Sequence, residues 1–450
     1  MTGSTESEAS YDRRRFNQWW AGRARAEGVA RRDILRLAAA AGLASTLPVG
    51  LSASRAGAVG EGVAVGEGVT VGEGVTVGEG VTAGQGVTAG QGIVKPLPPE
   101  LFTLHGTNAE TRFEALADTG FTTPVSHFFV RNHTRTPRLD AAAWKLRIWG
   151  DGLTGAGRQF TLADLKSLPP VTRTAFVECA GNARSFFRTL QNQPVSGTPW
   201  NTGAIGTARW RGARLSDVLR GAGLSRRAVD VMPRGLDDEL VMPDGTNYGR
   251  VRRPMPISKA LDDVLLAYEM NGAPLPPDHG FPVRLLAPSW VGISSIKWLG
   301  DIEVSTTPLY SPWNTDFYRL YGDAYPPEGS APLTRQTLKS AFELPWNATL
   351  SAHTRHRLTG RAWSASGAVT RVEVSTDGGA SWRPARLHDH ARRGSWTRWS
   401  IPWTPRGSGP AELLCRATDS TGRTQPQTTT HNTQGYLFDA VLRHAVTVRA

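Results

Sequence analysis

Of the two cysteines in the chain, Cys179 closes an apolar run in Phe176-Val177-Glu178-Cys179-Ala180-Gly181-Asn182-Ala183-Arg184. Thr174 to Val177 suits a short buried strand, and Ala180-Gly181-Asn182 breaks it, so Cys179 is expected where a strand opens into a loop. Arg184, five residues on, brings positive charge. Cationic surroundings favour the thiolate, the form that binds soft metals or attacks electrophiles. The plainer reading is an inert core thiol, since free cysteine is among the most buried residue types. Four further features could join it: Arg131-Asn132-His133 after Phe128-Phe129-Val130, Trp200 ahead of Gly203-Ala204-Ile205-Gly206, His279 with Arg284, and Lys297. Cations and glycine loops at strand ends suit an anionic cofactor that carries phosphate, with Lys and Arg as charge partners. Taken singly, each is as readily a solvated charge or a turn residue.

The elements that must position these residues fall into two groups. Phe128 to Val130 and Trp144-Lys145-Leu146-Arg147-Ile148-Trp149 read as strands, as do Val264 to Tyr268, Val283 to Ala287 and Ile296 to Leu299. Thr161-Leu162-Ala163-Asp164-Leu165 reads as a helix with Thr161 as cap, and Leu215 to Gly221 as another with glycine behind it. Irregular interleaving of this kind predicts a mixed domain of α+β class over 95–334. Beyond it, Leu358 to Trp363, Val369 to Ser375, Ser381 to Leu387, Trp396 to Trp403 and Ala411 to Ala417 alternate as short strands, with Asp377-Gly378-Gly379 as a hairpin signal. An all-β immunoglobulin-like sandwich is expected over 335–450, with Cys415 filling its core.

At 450 residues and 39% hydrophobic content, the chain can bury two or three cores. Two cysteines exclude a disulfide framework, and they exclude a zinc ribbon, an iron–sulfur cluster or a C-x-x-C-H haem attachment supplied by this chain alone. Residues 1–58 hold nine Arg against five acids, and residues 59–94 hold four Glu and no base. Those two segments cancel, so the whole formal charge of +12 belongs to the remainder, a basic body that attracts anions. No run of about 18 uncharged apolar residues occurs, so no permanent membrane span is expected.

At the N-terminus, Ala30-Arg31-Arg32-Asp33-Ile34-Leu35-Arg36 opens an alanine-rich apolar stretch, and Ala56-Gly57-Ala58 offers a small-x-small cleavage site. The segment 1–58 resembles a twin-arginine export signal, which implies a periplasmic or other extracytoplasmic location. Such signals serve proteins exported already folded, often with a cofactor installed. From Gly60 to Gly92 a hexad repeats, marked by Glu61, Glu67, Glu73, Glu79, Gln85 and Gln91. With glycine at two positions per hexad and no large apolar residue, 59–94 reads as a flexible linker rather than a β-helix.

In order along the chain, Phe128-Phe129-Val130-Arg131-Asn132-His133, Cys179-Ala180-Gly181-Asn182, Gly203-Ala204-Ile205-Gly206-Thr207-Ala208-Arg209-Trp210, Tyr268-Glu269-Met270-Asn271-Gly272, Asp278-His279-Gly280-Phe281-Pro282-Val283-Arg284 and Lys297-Trp298-Leu299 resemble the sulfite oxidase family of molybdenum enzymes. Val372-Glu373-Val374-Ser375-Thr376-Asp377-Gly378-Gly379-Ala380-Ser381-Trp382 is similar to the dimerisation domain found there. The resemblance covers about 100 to 450 and implies a molybdenum cofactor (Mo-molybdopterin) and a homodimer. It implies Cys179 as the thiolate on molybdenum, and Arg131, Asn132, His133, Asp237, His279, Arg284, Ser295, Ile296 and Lys297 as molybdopterin contacts. Arg131, Arg184, Trp200 and Tyr318 fall where the family lines its substrate pocket. Animal members commonly carry a further arginine where Ala183 stands, so the charge beside the metal is lower here.

The implied activity is that of a sulfite dehydrogenase: oxygen-atom transfer to sulfite, giving sulfate, with two electrons leaving singly. No haem domain is recognised in this chain, so an external acceptor such as a cytochrome c is expected, and no nucleic-acid partner. The rivals within the family are oxidation of another reduced sulfur compound and sulfoxide reduction. From other classes come a non-catalytic surface-binding protein and a cysteine hydrolase, the latter lacking a placed base.

Overall fold

The computed structural model describes residues 90–390 and 392–450. The twin-arginine-like segment and the hexad repeat up to residue 89 lie outside the described residues. Residues 90–94 are described and do not behave as linker. The amides of Val94 and Lys95 donate to the Asp278 carboxylate at 2.7–3.1 Å, and the amide of Thr136 donates to the Gly92 carbonyl at 2.8 Å. A carboxylate buried to 1% exposure needs donors, and the backbone of 94–95 supplies them.

Two five-stranded sheets build the first domain. One runs in the order Met255–Pro256, Asp230–Gly235, Leu299–Ser305, Lys145–Trp149, Arg158–Thr161, with Leu299–Ser305 parallel to Lys145–Trp149 and every other pair antiparallel. The other runs Ala273–Pro274, Leu265–Met270, Ile205–Arg214, Val171–Glu178, with Arg284–Leu286 added against Leu265–Met270. Leu162–Ser167 is a helix closed by a reciprocal capping box between Thr161 and Asp164, and Leu215–Gly221 buries Leu215, Val218 and Leu219 in the core.

Several sequence expectations shift by local geometry. Phe128 to Val130 is not a strand. It runs extended after a 3-10 turn, Val125–His127, and pairs only through a single bridge from Val130 to Ala109. Lys297 and Trp298 also stand outside a strand, because Trp298 takes φ +51° and the ladder begins at Leu299. That break leaves Lys297 free to turn inward from the strand end.

From Lys339 onward the chain forms two antiparallel-dominated layers. Lys339–Phe342, His356–Trp363, Trp396–Trp403 and Arg386–Leu387 make one; Ala348–Ser351, Leu442–Arg449, Gly409–Asp419, Val369–Ser375 and Arg383–Pro384 make the other. Leu442–Arg449 alternates buried and exposed along its whole length, as a strand with one face on a core must. The segment read as one strand over Ser381 to Leu387 changes layer at Ala385, with Arg383–Pro384 in one sheet and Arg386–Leu387 in the other. Cys415 is fully buried between the layers, where desolvation pushes its thiol up to about 12.

A separate apolar cluster joins the two domains: Phe113, Phe176 and Phe187 of the first pack with Trp363, Trp396 and Phe438 of the second. Arg361, with no exposed surface, crosses this joint, bonding Glu343 at 2.5 Å and the carbonyl of Leu116 at 2.8 Å.

Candidate functional site

Cys179 follows directly on the strand Val171–Glu178, and its amide donates to the Ala204 carbonyl at 2.9 Å. Asn182 closes the loop behind it. The Asn182 amide donates to the Cys179 carbonyl at 3.0 Å, and its side-chain oxygen accepts from the Ala204 amide at 3.0 Å. Gly292 passes so close that a Cβ there would stand 2.6 Å from the Glu178 carbonyl oxygen. The thiol therefore lies on a backbone fixed from both sides, facing a pocket lined also by Arg131, Arg284, Lys297 and Tyr318.

Around that pocket the structure gathers the expected cations. Lys297 donates to the Asn132 side-chain oxygen and, at 2.8 Å, to the Asp278 carbonyl. Arg284 donates to the carbonyls of Ser295 at 2.9 Å and His279 at 3.2 Å. Burial drives the Lys297 ammonium well below its ordinary value, and the neighbouring Arg284 adds to this against the opposing pull of Asp278 and Asp237. Burial brings Arg284 down to about 9. His133 and His279 are both pushed well below 6.5, first by burial and then by the cations beside them.

Arg131, Asn132, His133, Asp237 and Ser295 also line this pocket, as do Ile296 and Tyr318. Asp237 is raised to about 7 by burial, so its carboxyl can be protonated at neutral pH and can then donate a hydrogen bond. The Tyr318 phenol is raised by burial and keeps its proton across the neutral range.

Two expected pocket residues stand elsewhere. The guanidinium of Arg184 is committed to the carbonyls of Thr198 and Gln434, both at 2.9 Å, and lies over the Tyr436 ring at 5.1 Å. Trp200 is buried to 1% exposure behind the pocket wall, edge-on to Phe129 at 6.5 Å and to His105 at 5.3 Å. Neither is among the residues lining the cavity.

Other contributors were not singled out from the sequence. Tyr436, from the sandwich region, stacks on Tyr318 with centroids 5.2 Å apart and planes 10° apart, and Arg253 lies over the Tyr318 ring at 5.4 Å. Arg184, Tyr436, Tyr318 and Arg253 are thus linked by successive contacts, a cation at each end and two rings between. No local signal marks Tyr436, since its partner is over a hundred residues away. Asp278 could have been found, because it directly precedes His279 and a buried acid among cations is a structural anchor.

An anionic group fits this cavity on two observations. Several cations face it from buried or partly buried positions. Buried polar atoms around it lack partners, namely His279 Nε2, Asp237 Oδ1 and Ser294 Oγ. Among the described residues no group of three or more His, Cys, Asp or Glu side chains could hold a metal ion, so a metal bound through Cys179 would take its other donors from a cofactor.

Residues 133–313 match the oxidoreductase molybdopterin binding domain, and residues 337–449 match the Mo-co oxidoreductase dimerisation domain. Sulfite oxidase of Gallus gallus is 38% identical over 336 residues, covering 71% of either chain. Mitochondrial sulfite oxidase of Mus musculus is 38% identical over 353 residues, covering 74% of this chain and 62% of that protein. The chain thus spans less than two thirds of the length of the mouse relative. The sulfane dehydrogenase SoxCD from Paracoccus pantotrophus superposes with a TM-score of 0.65 at 28% identity, over 75% of this chain and 83% of that one. The protein belongs to the sulfite oxidase family of molybdenum-dependent oxidoreductases. No helix among the described residues is long and apolar enough to cross a membrane.

Proposed function

We propose that the protein oxidises sulfite to sulfate on a molybdenum cofactor held through Cys179, and passes the electrons to an external acceptor such as a cytochrome c. It works outside the cytoplasm, consistent with the twin-arginine-like segment, as a homodimer joined through the sandwich. The observation that carries the reading is that Cys179, Arg131 and Tyr318 line one pocket with the buried Arg284 and the partly buried Lys297.

When bound, the cofactor supplies oxygen-atom transfer and the two-electron change. The chain's own residues do the rest. Lys297 and Arg284 hold the anionic part of the cofactor, and His279 Nε2, Asp237 and Ser295 serve its polar edge through hydrogen bonds. His133 stays neutral between cations and contributes a ring nitrogen without adding charge. Arg131 commits one N–H to the Asn132 carbonyl at 2.5 Å and keeps further guanidinium donors for an incoming oxyanion. Charge-assisted contacts of this kind offset the desolvation of a dianion as it enters. Tyr318 keeps its phenolic proton and donates a hydrogen bond to substrate oxygen, while the Tyr436 ring holds it in place.

Sulfate formed by molybdenum-loaded protein, with two molecules of one-electron acceptor reduced per sulfate, is the expected result. Loaded protein that reduces no acceptor with sulfite contradicts the reading.

A second substrate reading rests on Arg184. With two of its guanidinium nitrogens donating to backbone carbonyls and Arg184 outside the pocket lining, fewer arginine donors are open to substrate, which favours a reduced sulfur compound of lower charge than sulfite. A panel of sulfur substrates compared by kcat/KM separates the two.

A further inference from the structure

The strongest unassigned feature is the charge directly beside Cys179. Glu178 has no exposed surface, yet both carboxylate oxygens are engaged. Oε1 accepts from Lys339 Nζ at 2.6 Å and from Asn182 Nδ2 at 2.9 Å, and Oε2 accepts from Trp363 Nε1 at 3.1 Å. Its backbone carbonyl accepts from Gln336 Nε2 at 2.7 Å. Lys339 and Trp363 face each other across one antiparallel pair of the sandwich, so their donors form a fork of fixed spacing. The carboxylate and Asn182, which it bonds, therefore sit between that fork and the loop that closes on the Cys179 carbonyl.

Stability alone does not account for this arrangement. A buried ion pair gains little over well-packed apolar residues of similar volume, since desolvation of both charges opposes their attraction. A buried polar network does fix one geometry among several, because any displacement leaves a charged group unpaired. The geometry it fixes here is the peptide that carries Cys179.

We infer that Glu178, gripped by Lys339 and Trp363, is a positioning residue for the Cys179 thiolate, through which the sandwich domain sets how the thiolate meets the metal. The inference rests on the proposed role of Cys179 as the metal-bound thiolate. Hydrogen-bonded outer partners of metal ligands act in this way, orienting the ligand and tuning its donation.

The test uses molybdenum-loaded full-length protein in four forms: wild type, Glu178→Gln, Trp363→Phe and Cys179→Ser. The thiolate-to-molybdenum absorption band and the Mo(V) paramagnetic resonance spectrum are read together with metal content. Glu178→Gln is expected to shift both spectra and to lower metal retention or kcat by about 10- to 100-fold, with KM little changed. Trp363→Phe removes one donor and is expected to shift the spectra less, in the same direction, which keeps the inference testable if Glu178→Gln does not fold. Spectra identical to wild type in the variants that fold, even with a lowered melting temperature, overturn the positioning role alone. Loaded wild-type protein whose spectra do not change in Cys179→Ser overturns the thiolate reading itself, and the positioning role with it.

Discussion

The indole N–H of Trp313 donates to Nε2 of His133 at 3.1 Å, with the two rings edge-to-face at 5.7 Å. An accepting Nε2 carries no proton, so the His133 ring is neutral and protonated at Nδ1. Burial and the nearby charges of Arg131 and Lys297 favour the same state. This one contact from Trp313 decides the tautomer that His133 offers the pocket.

A pH dependence follows with a definite sign. His133 and His279 have folded-state values well below the unfolded value of 6.5, so as pH falls the unfolded chain takes up these protons first. The stability they contribute is complete above 6.5 and is lost as pH drops toward their folded values. Asp237, raised to about 7, acts in the opposite sense as pH falls through 7 toward its unfolded value. The comparison that isolates the histidines is therefore wild type against His133→Gln/His279→Gln, both free of cofactor, by urea denaturation from pH 8 to 5. The double variant is expected to gain stability relative to wild type below about pH 6.5, and a constant difference across the range contradicts the account.

Lys297→Met is expected to keep the fold and lose the cofactor. The methionine fills similar space but removes the ammonium that reaches Asn132 and the Asp278 carbonyl. Molybdenum and pterin retained after dialysis should fall by about 10- to 100-fold, matching the roughly 1.5–3 kcal/mol of a charged hydrogen bond. Full retention would remove Lys297 from the cofactor site.

Gly292→Ala tests the fixed backbone at Cys179. The added methyl would meet the Glu178 carbonyl oxygen at 2.6 Å and its carbon at 3.1 Å, both backbone atoms that cannot swing away. Overpacking of this kind costs about 1–3 kcal/mol. The displacement falls on the strand end before Cys179, so metal retention should drop as well as the denaturation midpoint. A variant with full metal content would show that the thiolate tolerates movement here.

Arg361→Met probes the joint between the domains at a distance from the pocket. It leaves the Glu343 carboxylate buried without its 2.5 Å partner and removes one of the donors to the Leu116 carbonyl. Breaking one side of a buried ion pair costs about 3–5 kcal/mol. Chemical denaturation should show that loss, whereas the KM for sulfite in the fraction that remains folded should be unchanged.

The pocket was legible in the sequence where its residues lie within short ordered motifs, as Arg131-Asn132-His133, Cys179 and Lys297 do. Helix starts were legible for a similar reason, since the Thr161–Asp164 capping box is a local code. What was not legible depends on distant partners. Arg184 reads as a free cation, but the carbonyl of Gln434, 250 residues on, takes one of its donors. Glu178 reads as part of a strand, but Lys339, 161 residues on, makes it an inter-domain contact. Phe128 to Val130 has strand composition, but only Val130 pairs, through one bridge to Ala109, and pairing rather than propensity decides that state.

The proposed function turns on a bond between Cys179 and the molybdenum. X-ray absorption at the molybdenum edge, on loaded wild type and on loaded Cys179→Ser, tests it most directly. In the fraction of the variant that stays loaded, the metal's shell is expected to hold one sulfur fewer than in wild type. An unchanged sulfur count in Cys179→Ser would contradict it.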